Sequence, residues 1–468
     1  MSLMSLVNVL LAGACHTSVI LRLRQQAGTP WKAKPLLQIG LLLAAFFFLS
    51  SCSSTYQAKR DQGLKGDNPR KQYLLHQPHY SLGFIEFDEQ GEACSVPLAR
   101  EVLRDLQNRS RNAKAQGRHL VVFVYVHGWE NHAQSADVGR FEQFLEAASR
   151  WRGTQQYDAE IYGVYVAWQG RGLFDPRATA LGRVFDDTFL ALPKVLSFWT
   201  REQAAARVAR VSGTEALLWI ANAAKTPDPT GAKVIVMGHS FGARVVEEAL
   251  DQAYQALMLD PRTAGKEVSA PVDLVVLLNE ATDALQTKRM QELFAHSSRY
   301  GGATVNSDKP LFVSLTSEAD SATRVWFRVA RFMETIVSVN RPYRETPSVT
   351  QHTFTRQTAG HIDFLKTHEI LPRSTLATEQ PLMSDSWSFS SDNNGTQDDP
   401  TQWSIKRTIP AVHTPYWVVK CEKEFINDHG DVWNPKVRGF IFALLRRNQT
   451  LDPNVQTTVK ALQVSDFR

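Results

Sequence analysis

Three residues far apart in the chain have side chains suited to attack on a carbonyl carbon: a serine, Ser240, an acid, Asp320, and a histidine, His429. A serine hydroxyl is a weak nucleophile at neutral pH. It needs a base to take its proton, an acid to orient that base, and N–H donors for the developing oxyanion. Ser240 sits at the centre of Gly238-His239-Ser240-Phe241-Gly242. That stretch follows the apolar run Val234 to Met237 and precedes a helical pattern carrying Val245, Val246 and Leu250. Glycines two positions either side of the serine allow a helix to pack close to a strand while Ser240 adopts a strained backbone that lifts its hydroxyl above the sheet edge. The helix that follows places its positive N-terminal end beneath that oxygen. The alternative reading is a glycine-rich turn with a capping serine.

The other two residues lie where an open parallel sheet would deliver them, in loops at the carboxyl ends of strands. Thr316-Ser317-Glu318-Ala319-Asp320 follows one apolar run and contains two acids; His429 lies in "INDHGDVWNP" after the last run. The order serine, acid, histidine is the one a G-x-S-x-G turn predicts. Asp320 is favoured over Glu318 by its later position in the loop, although it could also cap a helix beginning at Ser321. Glu280, just past the run at Val272 to Leu278, is a third candidate acid. His361 and His413 compete with His429 but precede the final strand. The backbone N–H groups of Phe241, after the nucleophile, and of Trp129, in the His127-Gly128-Trp129 turn, are the expected oxyanion donors. The Trp129 ring itself suits core packing. His127 is read as fixing that turn and His239 as packing beneath the elbow. There is no CxxC, HExxH or His/Cys cluster, so neither a metal nor a cofactor is expected.

The elements that must position these groups alternate along the chain. Near-continuous apolar runs at Leu120 to Val126, Ile161 to Trp168, Val234 to Met237, Val272 to Leu278, Leu311 to Leu315 and Trp417 to Cys421 read as buried strands, with helical patterns between them. A helix is expected from Pro97 to Arg111, and "YSLGFIEFDEQGE" is read as an opening hairpin. The fold class is α/β, a doubly wound and mostly parallel sheet. Two stretches break its rhythm. Residues 172–224 read as a helical insertion bearing Phe174, Phe185, Phe189, Phe198 and Trp199, and 343–402 as a long irregular insertion rich in Thr, Ser, Asn and Asp. The main domain is placed at 76–450, with a tail at 451–468.

Charge narrows the partners. The formal net charge of +5 depends on Arg22, Arg24, Lys32 and Lys34. Removing those four from 52 basic side chains leaves 48 against 47 acidic ones, which takes away the support for nucleic-acid binding. The same basic residues precede the apolar run "PLLQIGLLLAAFFFLSS", in the pattern of a secretory leader over 1–51. Residues 52–75 are polar and read as a flexible tether. Cys94 and Cys421, the two cysteines that follow Cys52, are read either as a pair or as two free thiols.

The stretches "VYVHGWENHA", "YGVYVAWQGRG", "VIVMGHSFGARVV", "LTSEADSAT" and "NDHGDVWNP" together resemble the α/β-hydrolase superfamily, in particular its bacterial esterase- and lipase-like members. The resemblance covers Leu120 to Leu445. It implies Ser240 as nucleophile, His429 as base then acid, Asp320 as orienting carboxylate, a helical lid over 172–224, and an ester or lipid-like substrate. Acyl transfer through the same three residues, or a binding scaffold without turnover, are the other readings. Leu49-Ser50-Ser51-Cys52 resembles the bacterial lipobox. That implies lipidation of Cys52 and attachment in the cell envelope, on the periplasmic side of a membrane and at the outer membrane of a Gram-negative cell. An uncleaved signal anchor is the alternative.

Overall fold

A strand covered on both faces is apolar at nearly every position, and that requirement builds the centre of this protein. The computed structural model describes residues 72–129, 131–154, 158–170, 201–266, 268–296, 309–329, 331, 344–346, 349–372, 387–390, 402–408 and 414–447. Contacts separate residues 1–55 from Tyr56–Arg468, and every described residue belongs to the second unit. The leader, Cys52, the tether up to residue 71 and the tail lie outside the described residues, whereas 72–75, read as the end of the flexible tether, are described: Leu74 and Leu75 belong to a strand, Leu74–His76, that pairs with Ser81 to Gly83, and Leu75 is buried. Among the described residues no helix is long and apolar enough to cross a membrane.

In chain order the elements are β1 (Leu74–His76), β2 (Ser81–Phe87), α1 (Val96–Ala115), β3 (His119–Val126), α2 (Ala136–Thr154), β4 (Ala159–Trp168), α3 (Thr214–Lys225), β5 (Ala232–His239), α4 (Phe241–Met258), β6 (Leu274–Leu278), α5 (Ala284–His296) and β7 (Phe312–Ser317). They continue with β8 (Arg344–Thr346), β9 (Val349–Thr350), α6 (Gln351–Arg356), β10 (His368–Pro372), β11 (Trp387–Ser390), β12 (Gln402–Arg407), β13 (Tyr416–Cys421) and α7 (Pro435–Arg447). Among the described residues eleven strands form one sheet, in the order β1-β2-β4-β3-β5-β6-β7-β13-β10-β12-β11. From β2 to β10 every pairing is parallel; β1, β12 and β11 add antiparallel edges. The small β8–β9 hairpin stands apart from it.

Alternate side chains of each central strand feed two cores. Val122, Val124 and Val126 of β3 face one with α1, α3, α4 and α5; Val121, Phe123 and Tyr125 face the other with α2 and α7. Helices thus cover both faces of the sheet, as parallel connections require. α1 begins where Ser95 Oγ accepts the Leu98 N–H and Pro97 occupies its first turn, and it buries Val102, Leu106, Ser110 and Ala113 as one stripe.

Three sequence expectations change. The stretch 343–402 is not wholly irregular: β10 and β11 lie in it and join the main sheet, β10 running parallel to β13 in register His368 with Val419. These strands are short, and β11 mixes serines with Trp387 and Phe389, so composition hid them. Of the helical insertion 172–224, the described part belongs to the core. Residues 171–200, with all five candidate aromatics, lie outside the described residues, whereas Ala204, Ala205, Val208, Leu217 and Ile220 are core residues leading into β5. Apolar helical periodicity marks a core-facing helix as readily as a lid. The opening hairpin is also displaced. β2 pairs with β1 before it and with β4, and the turn at Gly91, with φ +87°, closes only a bridge between Phe87 and Ala93.

Candidate active site

β4, β3, β5, β6, β7 and β13 are consecutive neighbours in the sheet, and the loops after five of them hold the residues singled out above. Ser240 follows β5 and has φ 56° and ψ −122°, a conformation that costs a non-glycine residue about 1–3 kcal/mol. Neighbouring backbone holds it there. Its N–H donates to the Leu278 carbonyl at 3.0 Å, and its own carbonyl accepts the Ala281 N–H at 3.2 Å. The two elbow glycines are needed for close approach: a Cβ on Gly242 would lie 2.1 Å from the Val126 carbonyl oxygen, and one on Gly238 2.5 Å from Ala243 Cα. α4 starts at Phe241, so the backbone after Ser240 is the first turn of a helix.

Ser240 Oγ lies 2.8 Å from His429 Nε2, and His429 Nδ1 lies 2.8 Å from Asp320 Oδ2. The structure therefore brings the three candidates together in one hydrogen-bonded chain. Asp320 is buried, and its carboxylate both caps the following turn and bonds His429. Oδ1 accepts the Ala322 and Thr323 N–H groups at 2.9 and 3.1 Å, while Oδ2 accepts His429 and the Thr323 hydroxyl, the latter at 2.7 Å. Burial alone would raise the pKa of Asp320. The hydrogen bond and charge of His429, with the donors of Thr323, outweigh it and hold the carboxyl below its ordinary range.

The rival acids are elsewhere. Glu318 pairs with Lys420 at the surface. Glu280 is fully buried, and neither of its carboxyl oxygens has a hydrogen-bond partner among the described residues. It shares its surroundings with a second buried acid, Glu247 of α4, which accepts the hydroxyls of Thr287 and Tyr416. Burial raises the Glu280 pKa to about 7 and puts Glu247 well above the carboxylate range.

The turn after β3 abuts Ser240. A Cβ on Gly128 would sit 2.8 Å from both Ser240 Cβ and the His239 carbonyl oxygen, so Trp129 follows a glycine in van der Waals contact with the elbow. His127 fixes this turn. Its Nδ1–H donates to the Gly128 carbonyl at 2.9 Å, its Nε2 accepts the Trp168 N–H at 3.0 Å, and its ring stacks on Trp168 at 5.7 Å. Burial lowers its pKa, which keeps the ring neutral and suits this tautomer.

His239 packs in the elbow and also does more. Its Nε2–H donates to the His429 backbone carbonyl at 2.8 Å, and its ring lies 4.9 Å from the His429 ring. Burial, then the neighbouring His429, lowers its pKa to about 4. Asn279, at the end of β6, donates to that same carbonyl at 3.1 Å and accepts the Ser317 N–H at 3.0 Å. It takes φ 43°, which asparagine tolerates better than most residues. Sequence reasoning passed over Asn279 for its neighbour Glu280. The available signal was a polar side chain at the same sheet edge as Ser240. Ser317 adds a third tie, donating its hydroxyl to the Ile426 carbonyl at 2.6 Å.

Of the remaining candidates, His361 lies behind Asp320, 3.1 Å from the Thr323 hydroxyl, and His413 lies outside the described residues. Cys94 and Cys421 are free thiols, not a pair. Among the described residues no cluster of three or more His, Cys, Asp or Glu side chains could hold a metal ion.

Glu280 generates a pH prediction. Its folded pKa is raised, so the folded state keeps a proton that the unfolded chain releases above pH ~4.5, and stability falls as pH rises from there to about 7. Glu280→Gln is expected to raise stability by roughly 2–4 kcal/mol at pH 8 and to leave it unchanged at pH 4. Thermal unfolding at the two pH values checks this, and an equal shift at both would contradict it.

Comparison of the chain with protein-family models, with curated proteins and with solved structures finds no match.

Proposed function

We propose that this protein is a serine hydrolase with the α/β-hydrolase fold, cleaving carboxylic esters through an acyl-enzyme on Ser240. The observation that carries the proposal is the continuous chain from Ser240 Oγ through His429 to the buried Asp320 carboxylate. In the forward step His429 Nε2 takes the Ser240 proton as the hydroxyl oxygen attacks the ester carbonyl. The resulting imidazolium, held by Asp320, returns that proton to the departing alkoxide. Water then repeats the sequence: His429 deprotonates it, it attacks the acyl carbon, and the proton goes back to Ser240. The oxyanion of each tetrahedral intermediate is assigned to the Phe241 and Trp129 backbone N–H groups. The strained Ser240 backbone and the Gly128 turn packed against it support that assignment. Two points at the periphery complete the reading. The lipobox-like Leu49 to Cys52 supports tethering to a membrane surface in the cell envelope, and the absence of a basic stripe argues for a small ester or lipid-like substrate over nucleic acid.

Turnover of a series of p-nitrophenyl esters of rising acyl length tests the activity. The expected result is saturable hydrolysis that Ser240→Ala reduces by about a thousandfold or more. Absence of turnover by the folded protein, or turnover that survives Ser240→Ala, would remove the proposal. For the tether, Cys52→Ser is expected to abolish incorporation of labelled palmitate in cells, and unchanged incorporation would refute lipidation at this site.

A further inference from the structure

The hydrogen-bonded chain does not stop at Asp320. The Thr323 hydroxyl lies 2.7 Å from Asp320 Oδ2 and 3.1 Å from His361 Nε2. Thr323 is buried, and its backbone N–H is already held by Asp320 Oδ1, so its side chain is anchored at the start of the π-helical turn Ala322–Trp326. His361 closes the 3₁₀ turn Ala359–His361, where its N–H donates to the Thr358 carbonyl at 3.1 Å.

The direction of each bond follows from the donors available. The Asp320 carboxylate can only accept, so the Thr323 hydroxyl donates to it. With its one proton used, the hydroxyl oxygen can only accept a hydrogen bond from His361 Nε2–H, which fixes the tautomer of that ring. Burial, aided by Arg328 and Arg324 against the pull of Asp320, lowers the His361 pKa to about 4, so the ring is neutral in the working range and carries one proton.

We propose that Thr323 and His361 are positioning residues for the reaction, extending the Ser240–His429–Asp320 chain by two members and holding the Asp320 carboxylate in the orientation that steers His429. This rests on the serine-hydrolase reading of the site. With the Thr323 donor gone, Oδ2 keeps only His429. Its charge is less shared and draws the imidazole proton more strongly, while the carboxylate gains rotational freedom.

The test is the rate of Ser240 labelling by a fluorophosphonate probe as a function of pH, in the full chain. Thr323→Val is expected to slow labelling about tenfold and to move the acidic limb of the profile up by about half a pH unit. Thr323→Ser should restore both. His361→Phe should reproduce a smaller part of the effect, and His361→Gln, whose amide can still donate, should lessen it. Equal profiles for the wild type and a Thr323→Val protein of unchanged melting temperature would overturn the inference and leave the hydrolase reading intact. If Thr323→Val does not fold, the His361 pair decides, and identical profiles for Phe and Gln overturn it. A wild-type protein that is not labelled would overturn both the reading and the inference built on it.

Discussion

Ser240 occupies a backbone conformation that no isolated serine would keep, and much of the central sheet is arranged around enforcing it. The strain is absorbed by bonds to the next strand and by the wedging of α4 against β3, which only glycine at 242 permits. That geometry fixes where the hydroxyl emerges, and so where every partner must be. The strand order places β3 on one side of β5 and β6, β7 and β13 on the other, so the partner loops converge from both directions. The most mobile type of element, the loop, is here tied at its backbone: the His429 carbonyl is held by His239 and Asn279, and the loop before it by Ser317. One side chain, Asn279, contacts both the loop of Asp320 and the loop of His429, so the positions of those two residues are not independent.

The same elbow helix carries an unusual load of buried charge. Arg244 is bonded to Glu248 on its own helix and to Glu202, which also accepts Arg331, and Arg331 reaches Asp283. Burial would lower the pKa of Arg244, but Glu202 and Glu248 more than reverse it. Buried pairs of this kind contribute little net stability, and their removal one partner at a time is costly. Their effect is to pin the segment 201–208 against α4 beside the nucleophile. Glu247 and Glu280, by contrast, form no ion pair among the described residues, and their burial favours the protonated form at the expense of stability above neutral pH.

The legible parts of this molecule were those governed by local rules. Near-continuous apolar runs marked six parallel strands, because strands covered on both faces admit few polar positions. The elbow was readable because two glycines and a serine at fixed spacing have a steric meaning. The order of Asp320 and His429 was readable because parallel topology restricts where loops emerge. What stayed hidden depends on tertiary contact. The Ala204 to Ile220 stripe faces the core and not a lid, and nothing in its period distinguishes the two. β10 and β11 are short, and their pairing partners supply the bonds that their composition does not announce. Asn279, Thr323 and His361 each act on a residue tens of positions away or through a cap motif with an ordinary local explanation. Asp320 illustrates this well, since the capping role that seemed to compete with its orienting role is the means by which its carboxylate is held.

The central claim is that Ser240 is an activated nucleophile that becomes acylated. Rapid acid quench after mixing with a p-nitrophenyl ester, followed by peptide mass spectrometry, tests it directly. The account predicts a mass increase equal to one acyl group on the peptide containing Ser240, abolished by Ser240→Ala and strongly reduced by His429→Ala. Acylation on a different residue, or ester cleavage with no covalent intermediate and full dependence on some other side chain, would contradict it.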